Sequence, residues 1–216
     1  MINVFDNNSL QANLAVNKPR PNIVLFSDRA RIGDLPRFLL GFIDKSQKKA
    51  VIYREYDLDK THRKAELSEI YRSFDKNQLI LINAHNYNIS SSFLRCGIHS
   101  SDRKKSASEK LQFLQLATRY RNSKRLVTFA SHSFKSLLQA SKNRNIDIVF
   151  ISPVFSTKSH PQQKPIPLLQ LTKFMTKNQL KENANIFALG GINEKNIKIL
   201  LKLGFKGFGG IEIFSK

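Results

Sequence analysis

Several features are scarce or missing in this chain of 216 residues, and each absence narrows the class of protein. The single cysteine, Cys96, cannot form an intramolecular disulfide, which is typical of proteins from a reducing cytosol. No segment approaches the roughly 18–20 consecutive apolar residues of a membrane helix. The first residues lack a basic segment followed by an apolar run, so no secretory signal is predicted. We therefore expect a cytoplasmic protein without a membrane anchor.

Acidic residues are also scarce. The chain has 16 aspartates and glutamates against 36 lysines and arginines, which gives a net charge of +20. Such a charge attracts anions, whether phosphorylated metabolites or nucleic acid. It equally fits a solvated, lysine-rich surface. The basic residues are spread along the chain, and no recognition motif for nucleic acid accompanies them. We therefore expect nucleic acid not to be the partner.

Short β-rich segments alternate with longer amphipathic segments from Asn22 onward. The predicted strands are 22–27, 49–55, 78–83, 97–100, 125–130, 147–152, 185–190 and 207–214. The predicted helices are 35–46, 60–74, 107–120, 134–142, 168–177 and 194–203. Several of the strands are continuous apolar runs, as expected for strands buried on both faces of a parallel sheet.

About eight such repeats predict an α/β fold, a (β/α)₈ TIM barrel formed as one domain by residues 22–216. A doubly wound open sheet is the alternative. Residues 1–21 are polar and are expected to form an N-terminal arm outside the barrel. The sequence stops soon after the eighth strand, so the last helix is expected to be missing. Either the arm or a partner subunit, in a homo-oligomer, would then cover that seam.

Two glycine pairs follow the last two predicted strands, where barrels of this kind place their sites. Gly190 and Gly191 close the seventh strand before a helix, and Gly209 and Gly210 lie in the eighth. Glycine lacks Cβ, so its backbone amide can approach an anion closely, and a helix N-terminus adds partial positive charge. The pattern predicts a phosphate site. Tight turns and close packing are the alternative use of these glycines.

His132 directly follows the fifth predicted strand and leads into a helix. An imidazole at a strand end of a barrel suits proton transfer near neutral pH, so His132 is the candidate catalytic residue. The alternatives are a helix cap or a buried core histidine with its hydrogen bonds satisfied.

A polar loop after the sixth strand supplies donors for an anion through Thr157, Lys158, Ser159 and His160. The loop is long and rich in proline, so it is a candidate lid. An ordinary mobile polar loop is the alternative.

Arg54 and Asn83 follow or close the second and third predicted strands. A guanidinium group at this position suits a bidentate grip on a phosphate group. Arg54 could equally pair with Glu55 or Asp57 at the surface.

The order of short motifs along the chain resembles one family. FSDR, YRE, LIN, GIH, SHS, SPVFST, ALGGIN and the glycine-rich last strand occur in the same order in thiamine-phosphate synthases and in the related TenI-type thiazole tautomerases. The resemblance covers roughly Asn22 to Phe214. It implies a barrel that binds thiazole phosphate or thiamine phosphate, with Gly190, Gly191 and the last strand around the phosphate. A synthase of this family joins thiazole phosphate to an aminopyrimidine pyrophosphate and needs Mg²⁺.

The chain departs from the synthase pattern where the family holds the diphosphate and the metal. The family has Gln-x-Arg-x-Lys at the second strand, and this chain has Ile52, Arg54 and Tyr56. The metal-binding aspartate after the third strand is replaced by Ala84. Three further family positions are changed, to Ala130, His160 and Glu212.

These departures favour the tautomerase side of the resemblance. Mg²⁺ usually needs a carboxylate ligand, and only Asp102 is near the second acidic metal position. No cofactor is therefore expected, and Mg²⁺ would bind only if synthase activity is retained. The tautomerase histidine of the family falls on His132. A divergent synthase that uses Asp102 for the metal, and a non-catalytic paralogue that only binds a phosphorylated ligand, remain the alternatives.

Overall fold

The computed structural model describes residues 21–43, 48–75, 78–84, 93, 95–103, 106–157, 162–180 and 185–214. Its strands β1 to β8 are Ile23–Phe26, Lys49–Tyr53, Leu79–Asn83, Gly97–Ser101, Val127–Ser131, Ile148–Ile151, Ile186–Leu189 and Gly207–Gly210. Each strand pairs in parallel with the next, and β8 pairs with β1 to close the ring. The predicted TIM barrel is confirmed, and the open-sheet alternative is excluded.

Seven α-helices are described outside the barrel. Helices α1 to α7 are Arg29–Ile32, Leu35–Phe42, Lys60–Ser73, Ala107–Asn122, Phe134–Lys142, Leu168–Lys177 and Ile197–Lys202. Six of them were predicted, and the single turn α1 was not, because four residues carry no periodic apolar signal. Asp59 caps α3, because its side chain accepts hydrogen bonds from the amides of Thr61 and His62. No helix among the described residues is long and apolar enough to cross a membrane.

The core is divided into an inner cluster within the barrel and an outer core between the sheet and the helices. Phe26, Phe150 and Phe187 meet edge to face in the inner cluster, with ring centroids 5.0 and 5.6 Å apart. Alternate strand residues pack outward, as Leu25 and Val149 do. Because the strands are parallel, residues that continue the inward set beyond each strand end gather at one mouth of the barrel.

The last predicted strand, 207–214, is wrong in its second half. β8 ends at Gly210, and Glu212–Phe214 form a short 3-10 helix. Phe214 stacks on Phe208 at 6.0 Å and meets the edge of Phe42 at 5.1 Å. The apolar residues of this segment therefore pack on the outside of β8 instead of extending it. The predicted arm lies almost entirely outside the described residues.

Candidate active site at the carboxyl-terminal mouth of the barrel

The mouth of the barrel contains an aspartate–histidine pair built on two neighbouring strands. Asp102 follows β4 and His132 follows β5, and the amide of Asp102 donates to the carbonyl of Ala130 at 3.1 Å. One carboxylate oxygen of Asp102 accepts from the backbone amide of His132 at 2.8 Å, and the other contacts Nδ1 of its ring. The pair is largely shielded from solvent, because only 18% of the His132 side chain and 21% of the Asp102 side chain are exposed. The helix-cap alternative for His132 is wrong, because Ser133 caps α5.

The contact favours the charged form of Asp102 and one tautomer of a neutral His132. Burial acts to raise the pKa of Asp102, but hydrogen bonds from the His132 side chain and backbone and from Ser136 outweigh it, so that pKa is lowered. An ionised carboxylate accepts only, so a neutral His132 carries its proton on Nδ1 and leaves the Nε2 lone pair for a ligand. This is the arrangement of an oriented general base.

The two glycine pairs lie side by side, because Leu189 of β7 is aligned with Gly209 of β8. Gly190 and Gly191 both have positive φ, 93° and 64°. A Cβ on Gly191 would lie 2.1 Å from the carbonyl oxygen of Ser156. Glycine is therefore required for packing against the loop after β6, whatever its amides bind. The phosphate role stays a prediction.

The glycines of the eighth strand also lack room for a side chain, and a Cβ on Gly210 would lie 2.9 Å from the side chain of Ile213. A Cβ on Gly209 would lie 2.6 Å from the ring of Phe26 and 3.0 Å from that of Phe150. Gly209 is thus committed to the inner cluster, and Gly210 lies one step nearer the mouth. Of the second glycine pair, Gly210 is therefore the better placed for a ligand.

The helix after the seventh strand begins later than predicted. The predicted helix begins at Glu194, but α7 begins at Ile197 and has six residues. The side chain of Asn193 accepts from the amides of Lys195 and Asn196 instead, at 3.0 and 3.1 Å, and forms a separate turn. Such a short helix contributes little dipole to a phosphate site, so backbone amides would be the main donors.

The histidine and the glycine turns occupy the same end of the barrel, two strands apart. Ser131 of β5 is aligned with Ile151 of β6, which is aligned with Ala188 of β7. His132 is thus one step beyond this row and Gly190 two steps beyond it. Neighbouring strands are about 4.8 Å apart, so the two sites lie about 10 Å apart across the sheet.

Arg54 lies at the mouth on the opposite side of the barrel. Its guanidinium carbon is 5.3 Å from the centroid of the Phe26 ring, above the inner cluster. Its Nε donates to the carbonyl of Ser27 at 2.9 Å, and its terminal nitrogen is 3.8 Å from Asp28. The alternative of a surface ion pair between Arg54 and Glu55 or Asp57 is wrong, because the acidic group nearest to its guanidinium is Asp28. The side chain of Arg54 is held by Ser27 and Asp28, which directly follow β1.

Positive charge accumulates around Arg54. Burial lowers the pKa of Arg54, and repulsion from Arg103 and Arg31 lowers it further, although Tyr56 and Asp28 oppose the shift. Glu212, whose carboxylate would repel a bound phosphate, lies 4.0 Å from the guanidinium of Arg31. The ion pair reduces that repulsion, and the surplus of guanidinium groups favours an anion at this side of the mouth.

The other predicted site residues are placed less favourably or lie beyond what is described. Asn83 is buried at the end of β3. Leu79 and Leu81 of the same strand pack in the outer core, so alternation along the strand directs the Asn83 side chain away from the barrel interior. Thr157 is partly buried near the mouth. Ser159 and His160 lie outside the described residues, and their roles stay predictions.

The sequence identified His132 and Arg54 as candidate site residues but not the residues that contact them. Asp102 was considered only as a metal ligand, and Ser27 and Asp28 were not considered. The sequence did indicate the contact between Asp102 and His132, because each follows a strand and the two strands are consecutive. Residues that follow neighbouring parallel strands meet at the mouth, so the contact between them was predictable.

The donors at the mouth do not fit Mg²⁺. Both carboxylate oxygens of Asp102 are engaged by His132, and Asp28 lies between Arg31 and Arg54. Ala84 stands where the resemblance implies a metal-binding aspartate. Mg²⁺ binding in proteins relies on one or two carboxylates that are open to the ion. Among the described residues no group of three or more His, Cys, Asp or Glu side chains is arranged to hold a metal.

The sequence matches a known family over almost the whole barrel. The match is to the family described as "Thiamine monophosphate synthase" and covers residues 23–213. A protein of Aquifex aeolicus named "Putative thiamine-phosphate synthase 2" is 30% identical over 196 residues, which is 90% of this chain and 97% of that protein. The thiamine-phosphate synthase of Prochlorococcus marinus is 28% identical over 141 residues, 65% of this chain and 36% of that longer protein.

Solved structures support the same fold. Thiamine phosphate pyrophosphorylase from Pyrococcus furiosus superposes with a TM-score of 0.66 at 14% identity, covering 92% of this chain and 90% of that one. An N-acetylmannosamine-6-phosphate 2-epimerase from Clostridium perfringens superposes with a TM-score of 0.59 at 15% identity, covering 90% and 87%. At such identities the likeness extends to the barrel alone.

Proposed function

Since this chain belongs to the thiamine monophosphate synthase family, we propose that it binds thiazole phosphate or a close relative and acts on it as a TenI-like thiazole tautomerase. The phosphate group would contact the amides around Gly190, Gly191 and Gly210. The ring would reach toward His132. Arg54 would contact a second anionic group of the ligand.

The contact between Asp102 and His132 is the observation that carries this proposal. In the proposed step, Nε2 of His132 removes a proton from one position of the non-aromatic ring. Asp102 stabilises the imidazolium that forms. The same nitrogen then returns a proton to a second ring position, and the ring becomes aromatic. The step needs no metal, and the mouth offers poor ligands for one.

A turnover assay with purified protein tests the proposal. Wild type is incubated with the non-aromatic tautomer of thiazole carboxylate phosphate, and aromatisation is followed spectroscopically. Replacing His132 by Ala should reduce the rate about 10²- to 10⁴-fold, the usual contribution of a general acid–base group. His62→Ala, which removes an exposed histidine of α3, is the matched control and should leave the rate unchanged. Absence of turnover by wild type would remove the tautomerase proposal.

A divergent synthase is the second candidate, and the retention of Arg54 at the mouth favours it. It predicts Mg²⁺-dependent product formation from thiazole phosphate and the aminopyrimidine pyrophosphate. A paralogue without catalysis is the third candidate. It predicts thermal stabilisation by thiamine phosphate with no reaction in either assay.

A further inference from the structure

We propose that Asp28 is a built-in competitor for the anionic group that Arg31 and Arg54 bind at the mouth of the barrel. Its carboxylate would occupy the two guanidinium groups before a ligand binds, and a ligand would have to displace it. The inference rests on the proposed function, in which Arg54 contacts the ligand. It adds Arg31 as a second binding residue and Asp28 as a residue that determines specificity.

A single carboxylate oxygen of Asp28 lies between the two guanidinium groups. It is 3.4 Å from Nη1 of Arg31 and 3.8 Å from Nη2 of Arg54, whereas a strong charged hydrogen bond measures roughly 2.7–2.9 Å. Glu212 lies farther, at 4.0 Å from Nε of Arg31. About a quarter of each of the side chains of Asp28, Arg31 and Arg54 is exposed. The Asp28 carboxylate is therefore held loosely and within reach of a ligand.

Asp28 does not have the role that its position in the chain suggests. It occupies the N-cap position of α1, where an aspartate usually accepts a hydrogen bond from an amide of the first turn. Among the described residues its side chain makes no such capping hydrogen bond. The amide of Arg29 donates to Oε2 of Glu55 at 3.2 Å. The orientation of the Asp28 carboxylate is thus explained by the two guanidinium groups and not by the helix.

Arg54 can exchange one anionic partner for another without losing its orientation. Its amide donates to the hydroxyl oxygen of Ser27 and its Nε to the carbonyl of Ser27, both at 2.9 Å. The ring of Phe26 lies beneath the guanidinium group, with its centroid 5.3 Å from the guanidinium carbon. None of these contacts uses the carboxylate of Asp28, so they persist when a ligand takes its place.

The competition favours ligands that are held at two places. A small anion that contacts only the two guanidinium groups must displace Asp28 without any other gain. A ligand whose phosphate group already lies at the glycine turns presents its second anionic group at a high effective concentration. Asp28 would thus exclude unrelated small anions, which the net charge of +20 attracts to the protein.

The test measures calorimetric binding of inorganic diphosphate, a probe of the guanidinium groups, to the full chain in metal-free buffer. Asp28→Asn removes the competing charge at nearly constant size and should tighten binding about two- to fivefold, the scale of a partly exposed ion pair. The same variant should lower the melting temperature, because two guanidinium groups lose their counter-ion. Asp34→Asn makes the same change in charge at the exposed cap of α2 and should leave the affinity unchanged.

The gain should depend on the two arginines. Arg31→Met and Arg54→Met should each weaken diphosphate binding about tenfold, because a hydrogen bond to a charged group is lost. Arg37→Met, which removes an exposed arginine of α2, is the control and should leave binding unchanged. In the double variant Arg31→Met/Arg54→Met, Asp28→Asn should give no gain.

Weaker binding by Asp28→Asn would overturn the proposal, because Asp28 would then position the guanidinium groups instead of competing for them. A gain that Asp34→Asn reproduces, or that persists in the double arginine variant, would also overturn it, as would undetectable binding by both wild type and Asp28→Asn. The proposed function fails separately, in the turnover assay that depends on His132.

Discussion

At the scale of single residues, the site depends on the contacts between side chains more than on the residue types alone. His132 was recognisable from its position after a strand, but its competence depends on Asp102, which fixes the ring and accepts from Nδ1. Arg54 likewise depends on Ser27 and Asp28. The partners are about 30 residues apart and meet only when the strands align, so sequence separation alone shows neither dependence. Only the place of Asp102 and His132 after consecutive strands indicates that those two meet.

Replacing Asp102 by Asn should lower both stability and turnover. The amide keeps one acceptor where the carboxylate has two, so we expect a loss of about 1 kcal/mol in the free energy of unfolding. The pKa of Asp102 is lowered in the folded protein. Its contribution is therefore present above the ordinary aspartate value of 3.8 and is lost as the pH falls through the lower folded value.

Denaturant unfolding of wild type and variant between about pH 3 and pH 7 measures this difference. The difference in the free energy of unfolding between wild type and variant should persist above pH 3.8, the ordinary aspartate pKa, and disappear as the pH falls below it. Asp57→Asn, at an exposed position that follows β2 at the same end of the barrel, is the control and should show no such difference. A difference that widens as the pH falls below 3.8 would contradict the assigned contact.

At the scale of elements, the loops after β6 and β7 are joined into one unit beneath the proposed phosphate site. The amide of Val154 donates to the carbonyl of Leu189 at 2.9 Å, and that of Phe155 to Gly190 at 3.1 Å. Gly191 fits against the same loop with no room for a side chain. The glycines thus serve packing and leave their amides near the mouth, so the two interpretations of the glycine pair are compatible.

Replacing Gly191 by Ala should test how tightly the two loops are joined. The new Cβ would collide with the carbonyl of Ser156, and the φ of 64° is unfavourable for alanine. We expect a loss of about 1–3 kcal/mol in the free energy of unfolding, measured by thermal or urea denaturation. Gly41→Ala, on the exposed face of α2 where Cβ meets nothing within 4 Å, should be neutral or stabilise by up to about 1 kcal/mol. Equal changes in the free energy of unfolding for the two variants would show that the loops can separate.

Elements with strong periodicity or continuous apolar runs were predictable, and short irregular ones were not. Helices Phe134–Lys142 and Leu168–Lys177 agree with the predicted bounds to the residue. The single turn Arg29–Ile32 was not predicted, and the segment after Gly210 was wrongly predicted to continue the last strand. There the contacts of Phe214 with Phe208 and Phe42 decide the structure, and such tertiary contacts are not encoded in local pattern.

At the scale of the whole molecule, barrel closure is what assembles the site. Parallel pairing of all eight strands carries the glycine turns, the Asp102–His132 pair and Arg54 to one mouth, although they are spread over more than half of the sequence. The net charge of +20 raises the local concentration of anions around that mouth. Charge alone does not select a ligand; the arrangement of donors at the mouth does.

A crystal structure of the protein soaked with thiamine phosphate tests the central claim most directly. The account predicts the phosphate group against the amides of Gly190, Gly191 and Gly210, with the thiazole ring within hydrogen-bond reach of His132 Nε2. A phosphate group held only by surface lysines, with the mouth of the barrel empty, would contradict it.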